Sequence, residues 1–249
     1  MSDAGSGAAD DVAAYWDGKY RGGGELWGET PSELAAIAVA RLGALGPAAA
    51  ALTLLDLGCG YGRDAVALWD ALRLSVVGID GAARAIEMAR AARPAQATIE
   101  YIVADLGDLG EVGDLGEAGE TSAAGGSPAG LRPARFDAVY CSNVYHLLDT
   151  AGRAALRATV NDHLAPGGLF FMSTLSHRDP QHAGRGRPVP GEPDSYVEQT
   201  YLHLCRRDEL ERDFEFLRLE RLDEIAYLEP RPEGAPHDHV SWIVVGRAP

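Results

Sequence analysis

The chain has 249 residues, 46% of them hydrophobic, which is enough for one large domain and too few for two ordinary enzyme domains. Its 22 Lys and Arg stand against 37 Asp and Glu, and the formal charge of −15 argues against a nucleic acid or an anionic membrane surface as partner. No run approaches the ~20 apolar residues that cross a bilayer, the opening residues lack the basic and apolar parts of a signal peptide, and Cys59, Cys141 and Cys205 form no C-x-x-C pair, so a cytoplasmic protein with free thiols is expected.

The first nine residues are small and expected to be flexible. An aromatic, amphipathic helix is predicted from about Asp10 through Tyr20, broken at Arg21-Gly22-Gly23-Gly24. Thr30-Pro31-Ser32-Glu33 reads as the start of a second helix, with Thr30 as cap, Pro31 at the first helical position and Glu33 closing a capping box; it runs to about Leu45. Residues 10–46 thus precede, as lid helices, the body of a single domain spanning 10–249. From Leu52 short apolar runs alternate with helical patterns. Strands are expected at 53–57, 75–80, 98–103, 136–141 and 169–174, and helices at 63–72, 82–92 and 150–164. This alternation predicts an α/β fold with a mostly parallel sheet covered on both faces. A helix near 206–213 and an antiparallel pair at 214–228 and 240–246 close the chain. Between the third and fourth strands, Asp105 to Gly119 repeats acid-apolar-glycine with period three. That period fits neither helix nor strand, so a low-complexity acidic insertion over 107–133 is expected, with no chemistry of its own.

Leu54-Leu55-Asp56-Leu57-Gly58-Cys59-Gly60-Tyr61-Gly62 ends a strand and opens a helix, the setting in which glycines let backbone approach a ligand. Gly60 to Ala65 also satisfies the relaxed dinucleotide fingerprint, with Asp80 about 20 residues on, which keeps a nicotinamide-dependent oxidoreductase as an alternative. Asp56 discriminates between them. Its carboxylate at the mouth of the loop opposes a pyrophosphate but complements a ligand bearing an ammonium and a sulfonium. Asp80 and Asp105, at the next two strand tips, suit ribose hydroxyls and an adenine amino group.

These residues resemble the class I S-adenosylmethionine-dependent methyltransferases over roughly 52–246: the glycine loop, Asp80, Ala104-Asp105-Leu106, Phe136 to Cys141 and Leu164 to Leu169 arrive in that family's order. The resemblance implies a Rossmann-like sheet of seven strands with an antiparallel last strand. It also implies S-adenosyl-L-methionine as cofactor, Gly58, Cys59, Gly60 and Gly62 under its methionine part, Asp80 on the ribose, Asp105 and Leu106 at the adenine, and the end of the fourth strand, at Cys141, beside the sulfonium. The function expected is in-line methyl transfer to a small-molecule acceptor; a noncatalytic adenosyl-ligand regulator is a further alternative. Tyr15 to Tyr20 followed by Trp27-Gly28-Glu29-Thr30-Pro31-Ser32 looks like the entry segment of tellurite-resistance and thiopurine-type small-molecule methyltransferases, where the leading helix covers the cofactor.

Arg63, opening the helix after the loop, is a candidate for the cofactor carboxylate. Asn143, Tyr145 and His146 follow the fourth strand at the edge where open α/β sheets keep their chemistry, and with Trp27 they are candidates for the substrate side. His146 is the one candidate general base. The Pro/Gly-rich stretch 177–196 is expected to wall the acceptor site. His237 and His239 share a strand face, with His177, His182 and Glu229 as conceivable co-ligands. Transfer from a sulfonium needs no metal, and none is expected.

Overall fold

The computed structural model describes residues 7–104, 135–229 and 236–249. The predicted insertion and the candidates Asp105 and Leu106 lie outside the described residues.

Helix α1 (Gly7–Gly23) starts three residues before the expected Asp10 and runs through Gly22-Gly23. It stops at Gly24, whose φ of +65° and N–H to Tyr20 O (3.3 Å) make a left-handed C-terminal cap. Helix α2 (Glu33–Gly43) is capped by Ser32 and not by Thr30. The cause is tertiary: Asp64 accepts both the Ser32 N–H (2.9 Å) and the Ser32 hydroxyl (2.6 Å), which holds Ser32 extended while its Oγ accepts Ala35 N–H.

Then follow β1 (Thr53–Leu57), α3 (Arg63–Leu72), β2 (Ser75–Asp80), α4 (Ala83–Ala92), β3 (Ile99–Val103), β4 (Phe136–Ser142), α5 (Thr150–His163) and β5 (Leu164–Leu175). Three short strands, β6 (Arg187–Pro188), β7 (Ser195–Val197) and β8 (Tyr201–His203), stand where only a loop was expected. The chain closes with α6 (Arg207–Asp213), β9 (Arg218–Glu229) and β10 (His237–Arg247).

Seven strands pair in the order β3-β2-β1-β4-β5-β10-β9, and β10 alone runs against its neighbours. Period-two alternation sends successive residues to opposite faces. Leu54, Val76, Tyr140 and Ile243 pack under α2, α3 and α4, whereas Leu55, Val77, Val139 and Val244 pack under α5 and α6. Pro166-Gly167-Gly168 lies inside β5, which begins at Leu164 and not at the expected residue 169. Its pairing with β4 jumps from Phe136↔Leu164 to Ala138↔Leu169, an irregularity that Gly167 permits at φ +74°.

The second, three-stranded sheet hangs on a polar relay. Ser195 Oγ meets His203 Nδ1 (2.8 Å), His203 Nε2 meets Glu209 (2.7 Å), and Arg153 on α5 donates to Tyr201, which donates to Glu192. This ties the segment after β5 to both α5 and α6.

Candidate active site

The strand order turns back between β1 and β4, the topological position at which open α/β sheets bind ligands beyond the carboxyl ends of their strands. The glycine loop leaves β1 there. Its Gly58 and Cys59 N–H groups both donate to Ile79 O (2.8 and 2.9 Å), strapping the loop to β2. Gly58 sits at φ +73°, and a Cβ on it would overlap Val144 Cγ2, so the loops after β1 and β4 are in contact.

Asp80 orders the same loop from the next strand tip. One carboxylate oxygen accepts Gly60 N–H and the other Ala82 N–H, each at 2.8 Å. Each oxygen keeps a second lone-pair site for a ribose hydroxyl. Asp56 is 2% exposed, and its Oδ2 is buried without a hydrogen-bond partner among the described residues. Burial, and then the neighbouring Asp64 and Asp80 carboxylates, push its carboxyl well above the usual range. A buried acid with acidic neighbours and an unmatched oxygen fits a cationic ligand and opposes a pyrophosphate.

The remaining predicted cofactor residues divide. Arg63 is committed to the cover: it donates through Nη1 to Trp27 O (3.0 Å) and through Nε to Asp64 (3.3 Å). Cys59 lies beneath the loop and its thiol is held protonated, chiefly by burial. Cys141 is fully buried on the α5 face of β4. Sequence reasoning missed Asp64, which receives Ser32 and the Tyr140 hydroxyl (2.8 Å) and so locks α2 and β4 to the start of α3. The signal was its place one residue after Arg63.

An aromatic cover closes over the loop. Tyr20 packs edge-on against Tyr61 (6.0 Å between centroids), and Trp16 contacts Tyr20 (6.4 Å) and Trp27 (6.2 Å). The Tyr20 hydroxyl lies 2.9 Å from where a Gly60 Cβ would be. Tyr61 donates to Gly28 O (2.7 Å), and Asp17 on α1 caps α4 by accepting Arg84 N–H (2.7 Å). The entry segment thus packs on the glycine loop.

On the β4 side, Asn143 occupies the left-handed region at φ +58°, its N–H donating to Ser173 O (3.0 Å) and its side-chain oxygen accepting from Ser173 Oγ (3.3 Å). Asparagine tolerates this region because its short side chain bonds locally, here to Ser173. Tyr145 points away from a substrate role: it is fully buried, and its hydroxyl is shared by Asp213 and Arg157. His146 is 6% exposed, with Nδ1 accepting Leu175 N–H (3.3 Å). Burial, reinforced by His182, lowers its pKa to about 3. The neutral ring therefore carries its proton on Nε2 and has its lone pair engaged by backbone.

A methyltransferase-domain family profile matches residues 27–226. The fold is similar to that of a structure solved for the conversion of a disulfide bond into a thioacetal group during echinomycin biosynthesis, at 22% identity over 95% of this chain and 91% of that one, with a TM-score of 0.67. It is likewise similar to an S-adenosylmethionine-dependent methyltransferase from Anabaena variabilis (16% identity, 100% and 98% covered, TM-score 0.67). A third likeness is to 1,6-didemethyltoxoflavin-N1-methyltransferase from Burkholderia thailandensis, solved with its substrate and S-adenosylhomocysteine (20% identity, 99% and 93% covered, TM-score 0.61). At these identities the likeness is one of fold. No curated protein matches the sequence.

Proposed function

This chain belongs to the methyltransferase-domain family, and from that membership we propose that it is an enzyme carrying a methyl group from S-adenosyl-L-methionine to a small-molecule acceptor. The observation that carries the donor assignment is Asp56, whose buried, unmatched carboxylate oxygen lies beside the loop that Asp80 pins. When bound, the donor supplies an electrophilic methyl carbon on a positively charged sulfur, open to in-line displacement by an acceptor's lone pair.

The chain's own residues bind, orient and exclude water. Asp56 meets the ligand's positive charge, Gly58, Gly60 and Gly62 admit its methionine part against backbone, and Asp80 takes the ribose hydroxyls; Asp105 and Leu106 are assigned to the adenine. Trp16, Tyr20, Trp27 and Tyr61 form the cover, and the segment after β5 forms the acceptor wall. His146, between β4 and α5 with Nδ1 engaged by Leu175 N–H, acts as a neutral packing residue and takes no part in proton transfer. Such a site works by alignment and dryness, the contributions that displacement at carbon needs most. A small acceptor is supported by the toxoflavin-precursor enzyme of the same fold. Among the described residues no helix is long and apolar enough to cross a membrane.

Calorimetric titration with S-adenosylhomocysteine, run beside NADH, tests the donor. Binding of the adenosyl ligand alone is expected, and tight NADH binding with no adenosyl ligand overturns the reading. Transfer of labelled methyl across a panel of small hydroxyl, amine and thiol compounds tests the acceptor class.

A further inference from the structure

Helix α1 presents two neighbouring stripes of side chains. Trp16 and Tyr20 form one, on the glycine-loop side, against Trp27 and Tyr61. Tyr15 and Lys19, also one helical turn apart and so on one face, form the other, with the Lys19 ammonium 5.2 Å from the centre of the Tyr15 ring. That second stripe meets the segment after β5. Gln199 Oε1 accepts from the Tyr15 hydroxyl and from Lys19 Nζ, each at 3.2 Å. Gln199 is the middle residue of the turn Glu198-Gln199-Thr200 that joins β7 to β8, and its two donors lie 184 and 180 positions earlier in the chain.

The two partners are held differently. The arm made by β7 and β8 is fixed from behind, by His203 on Glu209 of α6 and by Tyr201 on Arg153 of α5. At its base Arg206 donates through Nε and Nη2 to the two oxygens of Asp194 (2.5 and 3.1 Å), while Leu204 N–H donates to Asp194 O (2.8 Å). Helix α1 has 17 residues, with glycine at 7, 18, 22 and 23. A helix of that length and composition is marginal by itself and depends on its tertiary contacts. A stiff arm therefore touches a helix whose order is set by what it touches.

We propose that Gln199 is a positioning residue for methyl transfer: from the acceptor wall it latches α1 over the glycine loop, so that the donor's cover and the acceptor's wall open and close together. The latch is a property of the chain, and its bearing on the donor rests on the methyltransferase reading. On that reading the donor lies between α1 and the loop, and its release requires Tyr15 and Lys19 to part from Gln199. The coupling is reciprocal, because whatever steadies the cover also steadies the arm. Both reactants thereby share one enclosure from which water is excluded.

The test begins with brief tryptic digestion of the full chain without ligand, in which cleavage after Arg21 reports opening of α1. Gln199→Ala should raise the initial rate about threefold to tenfold, whereas Gln199→Glu, which keeps an oxygen for both donors, should stay within about twofold of the parent. A rate unchanged by Gln199→Ala, or a Gln199→Glu rate equal to that of Gln199→Ala, overturns the latch. If a lowered melting temperature shows that Gln199→Ala weakens the whole fold, Tyr15→Phe decides, since it removes one of the bonds from the α1 side and leaves the arm intact. A rise of about twofold or more supports the latch, and no rise refutes it. Displacement of bound S-adenosylhomocysteine, followed by the fluorescence of Trp16 and Trp27, then reads the positioning role. Dissociation should be at least about threefold faster from Gln199→Ala and restored by Gln199→Glu. Equal dissociation rates beside faster cleavage refute positioning and leave a surface contact. Failure of S-adenosylhomocysteine to bind the parent refutes the donor assignment and the positioning role with it, while the cleavage result still decides the latch.

Discussion

Asp80 holds Gly60, accepting its N–H at 2.8 Å, so the residue assigned to the ribose also fixes the loop assigned to the methionine part. Asp80→Ala should therefore act twice. Loss of a charge-assisted hydrogen bond to ligand, about 1.5–3 kcal/mol, lowers S-adenosylhomocysteine affinity roughly tenfold to a hundredfold, and release of Gly60 and Ala82 lowers the melting temperature of the ligand-free protein. Calorimetry and thermal melts read the two effects separately; unchanged affinity in a folded variant removes Asp80 from the site.

Asp56 should make the ligand-free fold weaker at neutral pH. Its folded pKa lies above the unfolded value, so its favourable contribution is complete below the unfolded pKa and is lost as pH rises through the folded one. Asp56→Asn removes that dependence. Relative to this variant the parent should gain stability as pH falls from about 8 to about 5, and the variant should bind S-adenosylmethionine less well while being the more stable at neutral pH. Urea unfolding at both pH values checks this, and a constant difference between the two proteins argues against the shift.

Gly58→Ala should disrupt the junction of the β1 and β4 loops, because its Cβ would overlap Val144 and its φ of +73° is costly for alanine. Val144→Ala in the same chain relieves the overlap but not the backbone strain of about 1–2 kcal/mol. Partial rescue, with a coupling of at least about 1 kcal/mol in a double-mutant cycle, is the expected outcome. Strictly additive effects would show that the two loops do not press on one another.

Asp64→Ala should be the most damaging single change away from the ligand. It strands the Ser32 N–H and one hydroxyl proton of the Ser32–Tyr140 pair, whose oxygens lie 3.0 Å apart and can still bond each other, at about 1–3 kcal/mol for each buried group left unsatisfied. Denaturant unfolding should show a loss of about 3 kcal/mol or more, and a loss below 1 kcal/mol would mean that water replaces the carboxylate.

The parallel body was legible because each strand from β1 to β5 is an apolar run flanked by helical periodicity, and Gly58 to Gly62 announced the loop between the first strand and helix. What stayed hidden depends on contacts remote in sequence. The cap of α2 moved from Thr30 to Ser32 because of Asp64, 32 residues away. Strands β6, β7 and β8 are two or three residues long, too short to show alternation. Tyr145 and His146 looked like substrate-side residues from their place after β4. Whether such side chains face a cleft or the core depends on the turn they occupy, and that turn buried both. Asp179 sat unremarked in a Pro/Gly-rich stretch; only the pairing of β5 with β10 brings it to His239, 60 positions on.

The single reversed strand also partitions the chain's evolutionary freedom. On the proposed assignment, donor recognition is drawn from β1, β2 and their loops together with the entry helix, whereas the acceptor wall comes from the segment after β5, beside the histidines at the start of β10. Exchange of the carboxyl-terminal third with that of a relative, joined within β5, would therefore recast which compound is methylated while leaving the grip on the donor inherited intact.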